Sequence, residues 1–234
     1  MGSIADNLGS VTRLIQKATL QAGREPGSVS LLAVSKTRTA QELREAVAAG
    51  QRAFGENYLQ EALDKMAELH DLKDIDWHFI GPIQSNKTRQ IASAFSWVHS
   101  VDRLKVARRL NEQRETGLAP LNICLQVNIN NEPSKSGCQP EELPELVSQI
   151  SLLPGLSLRG LMAIPDPDQT EPALSASFRK LANTLKELRQ EHPKAGPLDT
   201  LSMGMSGDLE LAIAAGATWV RIGTAIFGGR APKS

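Results

Sequence analysis

At 234 residues the chain is long enough for one large domain with a sizeable core. Its 26 lysines and arginines balance 26 aspartates and glutamates, so net charge supports neither nucleic acid nor an anionic membrane as a partner. Cys124 in an apolar run and Cys138 in a polar turn make no disulfide framework or metal knuckle, and no signal peptide or long apolar span is present; a cytoplasmic protein of a reducing compartment is expected.

Ile4, Leu8, Val11, Ile15 and Ala18 recur at steps of four and three, which predicts a helix with one apolar stripe, closed by Gly23 and Pro26. The apolar run Leu31-Leu32-Ala33-Val34 then reads as a strand buried on both faces, and it ends abruptly in Ser35 and Lys36. Periodicity next predicts a helix over 42–49 ended by Gly50, a short strand over 52–54 running into Gly55-Glu56-Asn57, and a helix over 58–69. A strand over 77–80 exits at Gly81-Pro82, and a helix over 85–94 leads to a strand over 97–99. A charged helix over 103–114 precedes a long strand over 121–129, which leaves at Asn130-Asn131-Glu132-Pro133. A helix over 141–153 and a strand over 156–164 follow, and Leu174, Phe178, Leu181, Leu185 and Leu188 mark a strong amphipathic helix. The chain finishes with a strand over 200–202, a helix over 209–215 and a strand over 218–222 that runs into Gly223-Thr224.

These are eight strand-then-helix units in one domain over 1–234. Strict alternation implies a parallel sheet, and this count predicts an α/β fold, a closed (β/α)₈ TIM barrel with an extra N-terminal helix. An open doubly wound sheet is the second possibility.

In such a barrel the C-terminal exits of the strands face one cavity, so chemistry is sought there. The exits offer Lys36, Asn57, Gln84, Asn86, Lys87, Asn128, Asn130, Met162, Ser206, Arg221 and Thr224. An amine beside an apolar wall loses hydration, which frees its lone pair for Schiff-base chemistry; the plainer role for Lys36 is a strand-ending lysine that snorkels to solvent. Exits seven and eight are the usual phosphate site of the fold. There Gly204-Met205-Ser206-Gly207 opens a helix with Ser206 at the expected N-cap, and Gly223 and Thr224 add backbone donors and a hydroxyl. Asp208 in the same turn is expected to point outward, since a carboxylate facing inward would repel an anion. Arg221 could hold a phosphate, face a ring nitrogen, or sit in a structural ion pair with Glu56 or Asp102. Lysine, anion cradle and arginine together describe a pocket for a phosphorylated aldehyde, with pyridoxal 5'-phosphate as the candidate cofactor.

The remaining signals are weaker. His70, His78, His99 and His192 show no metal-ligand spacing, so structural roles and no metal site are expected. Arg103, Lys105, Arg108 and Arg109 read as a solvated helix face, and Lys87 or Lys135 could serve as a second transient amine.

Several segments carry a family resemblance: LLAVSKTR ending around Lys36, FGENYLQE, WHFIGPIQSNK, NEPSKSG, GLMAIP, LSMGMSGDLELAI and VRIGTAIFG. In this order they resemble the pyridoxal 5'-phosphate homeostasis proteins along nearly the whole chain. The resemblance implies a barrel like the N-terminal domain of alanine racemases, with the cofactor in an internal aldimine on Lys36. It also implies that Ser206, Gly223 and Thr224 hold the phosphate, that Arg221 faces the pyridine nitrogen, and that Asn57 neighbours the cofactor. The implied role is non-catalytic: reversible holding of the cofactor in vitamin B6 and amino-acid homeostasis, in transient contact with enzymes that use it, by a monomer. A racemase needs a second acid/base across the cofactor, and the only tyrosine here is Tyr58 near exit two. The rival readings are a weak pyridoxal-dependent racemase or lyase and a class I aldolase-like barrel.

Overall fold

A computed structural model of the chain describes residues 2–132, 136–166 and 168–229. Eight parallel strands close into a barrel: β1 (Ser30–Val34), β2 (Ala53–Glu56), β3 (Asp76–Phe79), β4 (Trp97–Val101), β5 (Leu121–Gln126), β6 (Leu156–Met162), β7 (Thr200–Ser202) and β8 (Trp219–Ile222). Each pairs with the next, and β8 returns to β1 with Leu32 opposite Arg221. The closed barrel is therefore the architecture, and the open sheet is excluded.

The helices follow from the same alternation. They are α1 (Ile4–Gln21), α2 (Ala40–Ala48), α3 (Leu59–Glu68), α4 (Thr88–Ala94), α5 (Leu104–Glu112), α6 (Leu143–Ile150), α7 (Glu171–Glu191), α8 (Leu209–Ala214) and α9 (Thr224–Phe227). Capping boxes start α1 at Ser3 with Asp6, and α2 at Thr39 with Glu42. The stripe Leu8, Val11, Ile15 and Ala18 is buried, and α1 lies against α8 and α9. Polar ties fix it there: Asn7 donates to the Ile226 carbonyl at 2.8 Å, and the Arg24 guanidinium caps the Ile213 and Ala217 carbonyls at 2.9 and 2.7 Å.

Several boundaries differ from the sequence reading for local reasons. The strand predicted over 121–129 ends at Gln126; beyond it the Val127 amide still donates to the Met162 carbonyl of β6 at 2.8 Å, while Cys138 of the following loop bridges the other edge through Gln126 and Asn128. Cys138 therefore does not sit in a polar turn. It is buried, and burial pushes its thiol up to about 12. β2 runs on through Gly55 and Glu56, the connection from β3 to β4 begins with a 3-10 turn over Ser85–Lys87, and α9 is a helix the sequence did not announce.

The outer core is hydrocarbon packed between the strands and the inner faces of the helices. The barrel's inside is different: buried Trp97, Cys124 and Met162 form a cluster separate from the main core, and His78, His99, Ser202 and Arg221 are buried with hydrogen bonds among themselves. Trp77, Trp97 and Trp219 all lie in the first two residues of their strands, at the end of the barrel away from the exits. Two glycines permit backbone approaches that no side chain allows. A Cβ at Gly160 would lie 1.9 Å from the Thr200 carbonyl oxygen, and one at Gly81 would lie 2.0 Å from that of Asn57.

Candidate functional site

At the C-terminal end of the barrel a cavity of ≈ 340 Å³ is lined by Lys36, Asn57, Ser206, Arg221, Gly223 and Thr224. Val34, Ile80, Ile164 and Met205 supply apolar wall, and Gly207 lines the cavity beside Ser206. The six residues that the resemblance assigns to the cofactor thus line one pocket, drawn from exits one, two, seven and eight.

Lys36 stands two residues beyond β1, in a half-buried turn held on both flanks by an ionic cluster. The ammonium of Lys65, on α3, donates to the Ser35 carbonyl at 2.7 Å, to Glu56 Oε1 at 2.8 Å and to Glu61 Oε1 at 2.5 Å. The Ser35 hydroxyl donates to the same Glu56 oxygen at 2.6 Å, and the Thr37 amide donates to Glu61 at 2.6 Å. Thr37 itself takes a left-handed φ of 63°, uncommon for a β-branched residue, so the turn is over-determined by its contacts. Burial raises the Glu56 carboxyl above its ordinary range, with Lys65 acting against that, and Glu56 Oε2 has no hydrogen-bond partner among the described residues.

Asn57 follows β2, and Gly81 lets the exit of β3 close over its carbonyl. Its Oδ1 is buried, with no hydrogen-bond partner among the described residues. Buried acceptors are rarely left so; a bound hydroxyl or N–H would satisfy it.

On the opposite side the turn before α8 corrects one expectation. Ser206 is not the N-cap: α8 begins at Leu209 with Asp208 at the cap, and Ser206 is exposed in the preceding turn. Asp208 is not among the residues that line this cavity; it lines a neighbouring groove with Leu14 and Glu171. Its carboxylate folds back to accept the Met205 amide at 2.5 Å, which neutralises a local donor and keeps it half-buried; burial raises its pKa while Met205 and the nearby Arg221 oppose that. Gly223 caps α9 and Thr224 is its first residue.

Arg221 makes neither of the ion pairs weighed for it. Glu56 is taken by Lys65 and Asp102 by Arg103 at 2.6 Å, whereas Arg221 donates to Ser202 Oγ and to the Ala163 carbonyl, each at 2.9 Å. Burial pulls its pKa down to about 10, so the guanidinium stays charged at neutral pH.

Other exits stand apart. Gln84 and Lys87 line a neighbouring cavity of ≈ 370 Å³ with Asn57 and Tyr58. Asn128 binds the Glu132 backbone, Asn130 accepts from the Ser177 hydroxyl, and Met162 is buried in the barrel. Lys135 lies outside the described residues. Among the described residues no group of three or more His, Cys, Asp or Glu could hold a metal, and no helix is long and apolar enough to cross a membrane. The sequence reading gave Glu56 the wrong partner and did not single out Glu61 and Lys65, nor Ile80 and Ile164 as pocket wall. The last two had a signal, since each ends an apolar strand segment at an exit.

An amine, two hydroxyls, a permanent cation and an unfilled acceptor around an apolar-walled pocket fit a small phosphorylated ring aldehyde.

The chain from residue 10 to 231 matches the family model of the alanine racemase N-terminal domain. It is 61% identical over 230 residues to the pyridoxal phosphate homeostasis protein of Pseudomonas aeruginosa, covering 98% of this chain and 97% of the relative. It is 50% identical to the protein of that name from Escherichia coli, with 98% of each chain covered. Among solved structures, PipY of Synechococcus elongatus with PLP bound superposes with a TM-score of 0.85 at 43% identity, over 96% of this chain and all (100%) of that one. The alanine racemase of Corynebacterium glutamicum shares the fold alone: its TM-score is 0.69 at 19% identity, over 99% of this chain and 62% of that one.

Proposed function

We propose that this chain, which belongs to the alanine racemase N-terminal-domain family, is a non-catalytic holder of pyridoxal 5'-phosphate that serves the homeostasis of the cofactor and of amino acids. One observation carries the reading: Lys36 lines a single pocket together with Ser206, Gly223, Thr224 and Arg221. When bound, the cofactor would supply an aldehyde, and Lys36 would be the primary amine that holds it reversibly. Ser206, Gly223 and Thr224 hold the phosphate. Arg221, held by Ser202 and Ala163, would be the donor toward the ring nitrogen and would disfavour a proton on it. Asn57 offers its unfilled Oδ1 to a ring substituent. PipY, with PLP bound, and relatives named for PLP homeostasis support this assignment. A cytosolic monomer that meets cofactor-using enzymes transiently is the form we assign, in keeping with two buried, unpaired cysteines.

Borohydride reduction of the cofactor-loaded protein followed by peptide mass mapping tests the attachment. A pyridoxyl group fixed to Lys36 is expected; a label on Lys87, Lys135 or no lysine overturns the reading.

The likeness to alanine racemases favours one second reading, a weak racemase or lyase with Lys36 as its base. The only tyrosine, Tyr58, lines the neighbouring cavity and not the pocket, which leaves no opposing acid/base of the usual kind. Incubation with single-enantiomer amino acids decides: optical purity is expected to persist, and rapid racemisation that disappears in Lys36→Ala would establish the enzyme instead.

A further inference from the structure

A chain of hydrogen bonds crosses the barrel from its N-terminal rim to the pocket, and the proposed function gives it no task. It starts at Asp76, the first residue of β3, whose side chain is 39% exposed. Asp76 Oδ2 meets His78 Nε2 at 3.0 Å, His78 Nδ1 meets His99 Nε2 at 2.9 Å, and His99 Nδ1 meets Ser202 Oγ at 2.7 Å. The last link is Arg221, donating to that same hydroxyl at 2.9 Å. His78, His99 and Ser202 are wholly buried.

The chemistry of the two ends sets the direction of every link between them. A carboxylate only accepts, so His78 Nε2 carries a hydrogen and donates it to Asp76. A neutral imidazole has one N–H, which leaves His78 Nδ1 as an acceptor, to be filled by the Nε2–H of His99. His99 Nδ1 is then an acceptor in turn and takes the Ser202 hydroxyl hydrogen. The oxygen of Ser202 keeps a lone pair for Arg221, which cannot accept at all. Four hydrogen bonds thus point one way, from the guanidinium cation to the carboxylate. The Ser96 hydroxyl donates to the other oxygen of Asp76 and fixes that terminus, and His78 is further held by stacking on Trp97 with ring centroids 5.3 Å apart.

We infer that Asp76, His78, His99 and Ser202 form a polarised relay that orients Arg221, so that Asp76 is a positioning residue for a pocket at the opposite end of the barrel. One arm of the guanidinium is held by the relay and the other by the Ala163 carbonyl at 2.9 Å, which fixes its plane relative to the cavity. An uncharged amide in place of Asp76 both donates and accepts. It would admit the reverse polarity, in which His99 Nδ1–H points at Ser202 and the hydroxyl hydrogen loses its acceptor in the chain. The relay rests on the proposed function only for the identity of the ligand that Arg221 meets.

Long-range nitrogen–proton NMR correlations on ¹⁵N-histidine apoprotein at neutral pH read the tautomers directly. The Nε2–H form is expected at both His78 and His99, and Asp76→Asn should convert His99 to a mixture. In the loaded protein, Asp76→Asn should shift the absorbance maximum of the bound cofactor. Ser202→Ala should weaken cofactor binding about tenfold, the cost of one hydrogen bond to a charged group. Both variants should keep the borohydride label on Lys36. An Nδ1–H tautomer at either histidine in the parent protein overturns the relay. So does an Asp76→Asn variant with a changed melting temperature but unchanged His99 resonances and an unchanged cofactor spectrum, since that is the mark of a purely structural carboxylate. Absence of the Lys36 label in the parent protein defeats the proposed function instead, and the apoprotein tautomers still decide the relay.

Discussion

Gly160 shows how a single atom governs the sheet. Its missing Cβ would sit 1.9 Å from the Thr200 carbonyl oxygen, a contact between two backbones that no rotamer change relieves. Gly160→Ala should therefore separate β6 from β7 and cost about 3 kcal/mol, at the upper end of ordinary point substitutions; urea unfolding measures it, with Gly207→Ala, whose Cβ meets nothing within 4 Å, as the comparison. Legibility also differs residue by residue. Lys36 stands out because an apolar run stops against a lysine, a one-dimensional pattern. The partners of Arg221 do not, since Ser202 lies 19 positions and Ala163 58 positions away, and proximity across a closed barrel leaves no trace in local spacing.

Among elements, the turn between β1 and α2 is held by β2 and α3 through Lys65, Glu56 and Glu61. Removing the cation strands two carboxylates, one of them wholly buried. Lys65→Met should cost roughly 3–5 kcal/mol, the range for a buried ion pair that loses one member, and should slow borohydride-trapped labelling of Lys36. An unchanged denaturation midpoint would show the cluster to be idle. Elements were readable where they repeat a period: the strand cores and the stripe of α7 recur as the spacing of apolar residues predicts. Their ends were not. Just beyond the end of β5 the loop residue Cys138 bridges its edge, and α9 is four residues long, too short for helical periodicity to register.

At the scale of the whole molecule, the barrel interior makes stability depend on pH. Burial lowers the pKa of His78, which the Asp76 contact resists, and lowers that of His99 further, with His78 and Arg221 adding to the effect. Both side chains are therefore neutral in the fold while the unfolded chain protonates them near 6.5. As pH falls through that value the unfolded state gains protons that the folded state refuses, so stability must drop on the acid side. Glu56, raised by burial, works in the opposite sense: its contribution is present below 4.5 and is lost as pH rises through its folded value. Melting temperatures should fall between about pH 7 and pH 5, and His99→Asn should flatten that slope. A parent protein with no acid-side decline would contradict the neutral assignment. Closure of the barrel itself was legible, because eight strand-then-helix units in one chain leave few other ways to bury strands on both faces.

The grouping of Trp77, Trp97 and Trp219 at the strand starts gives the molecule an internal optical ruler. The indoles are separated from Lys36 and Thr224 by the length of the strands, four to five residues at ~3.3 Å each. Light absorbed by the indoles can therefore pass by resonance transfer to a chromophore seated at the mouth, without any contact between the two. Quenching of their emission would count occupancy of the pocket in an otherwise unlabelled protein.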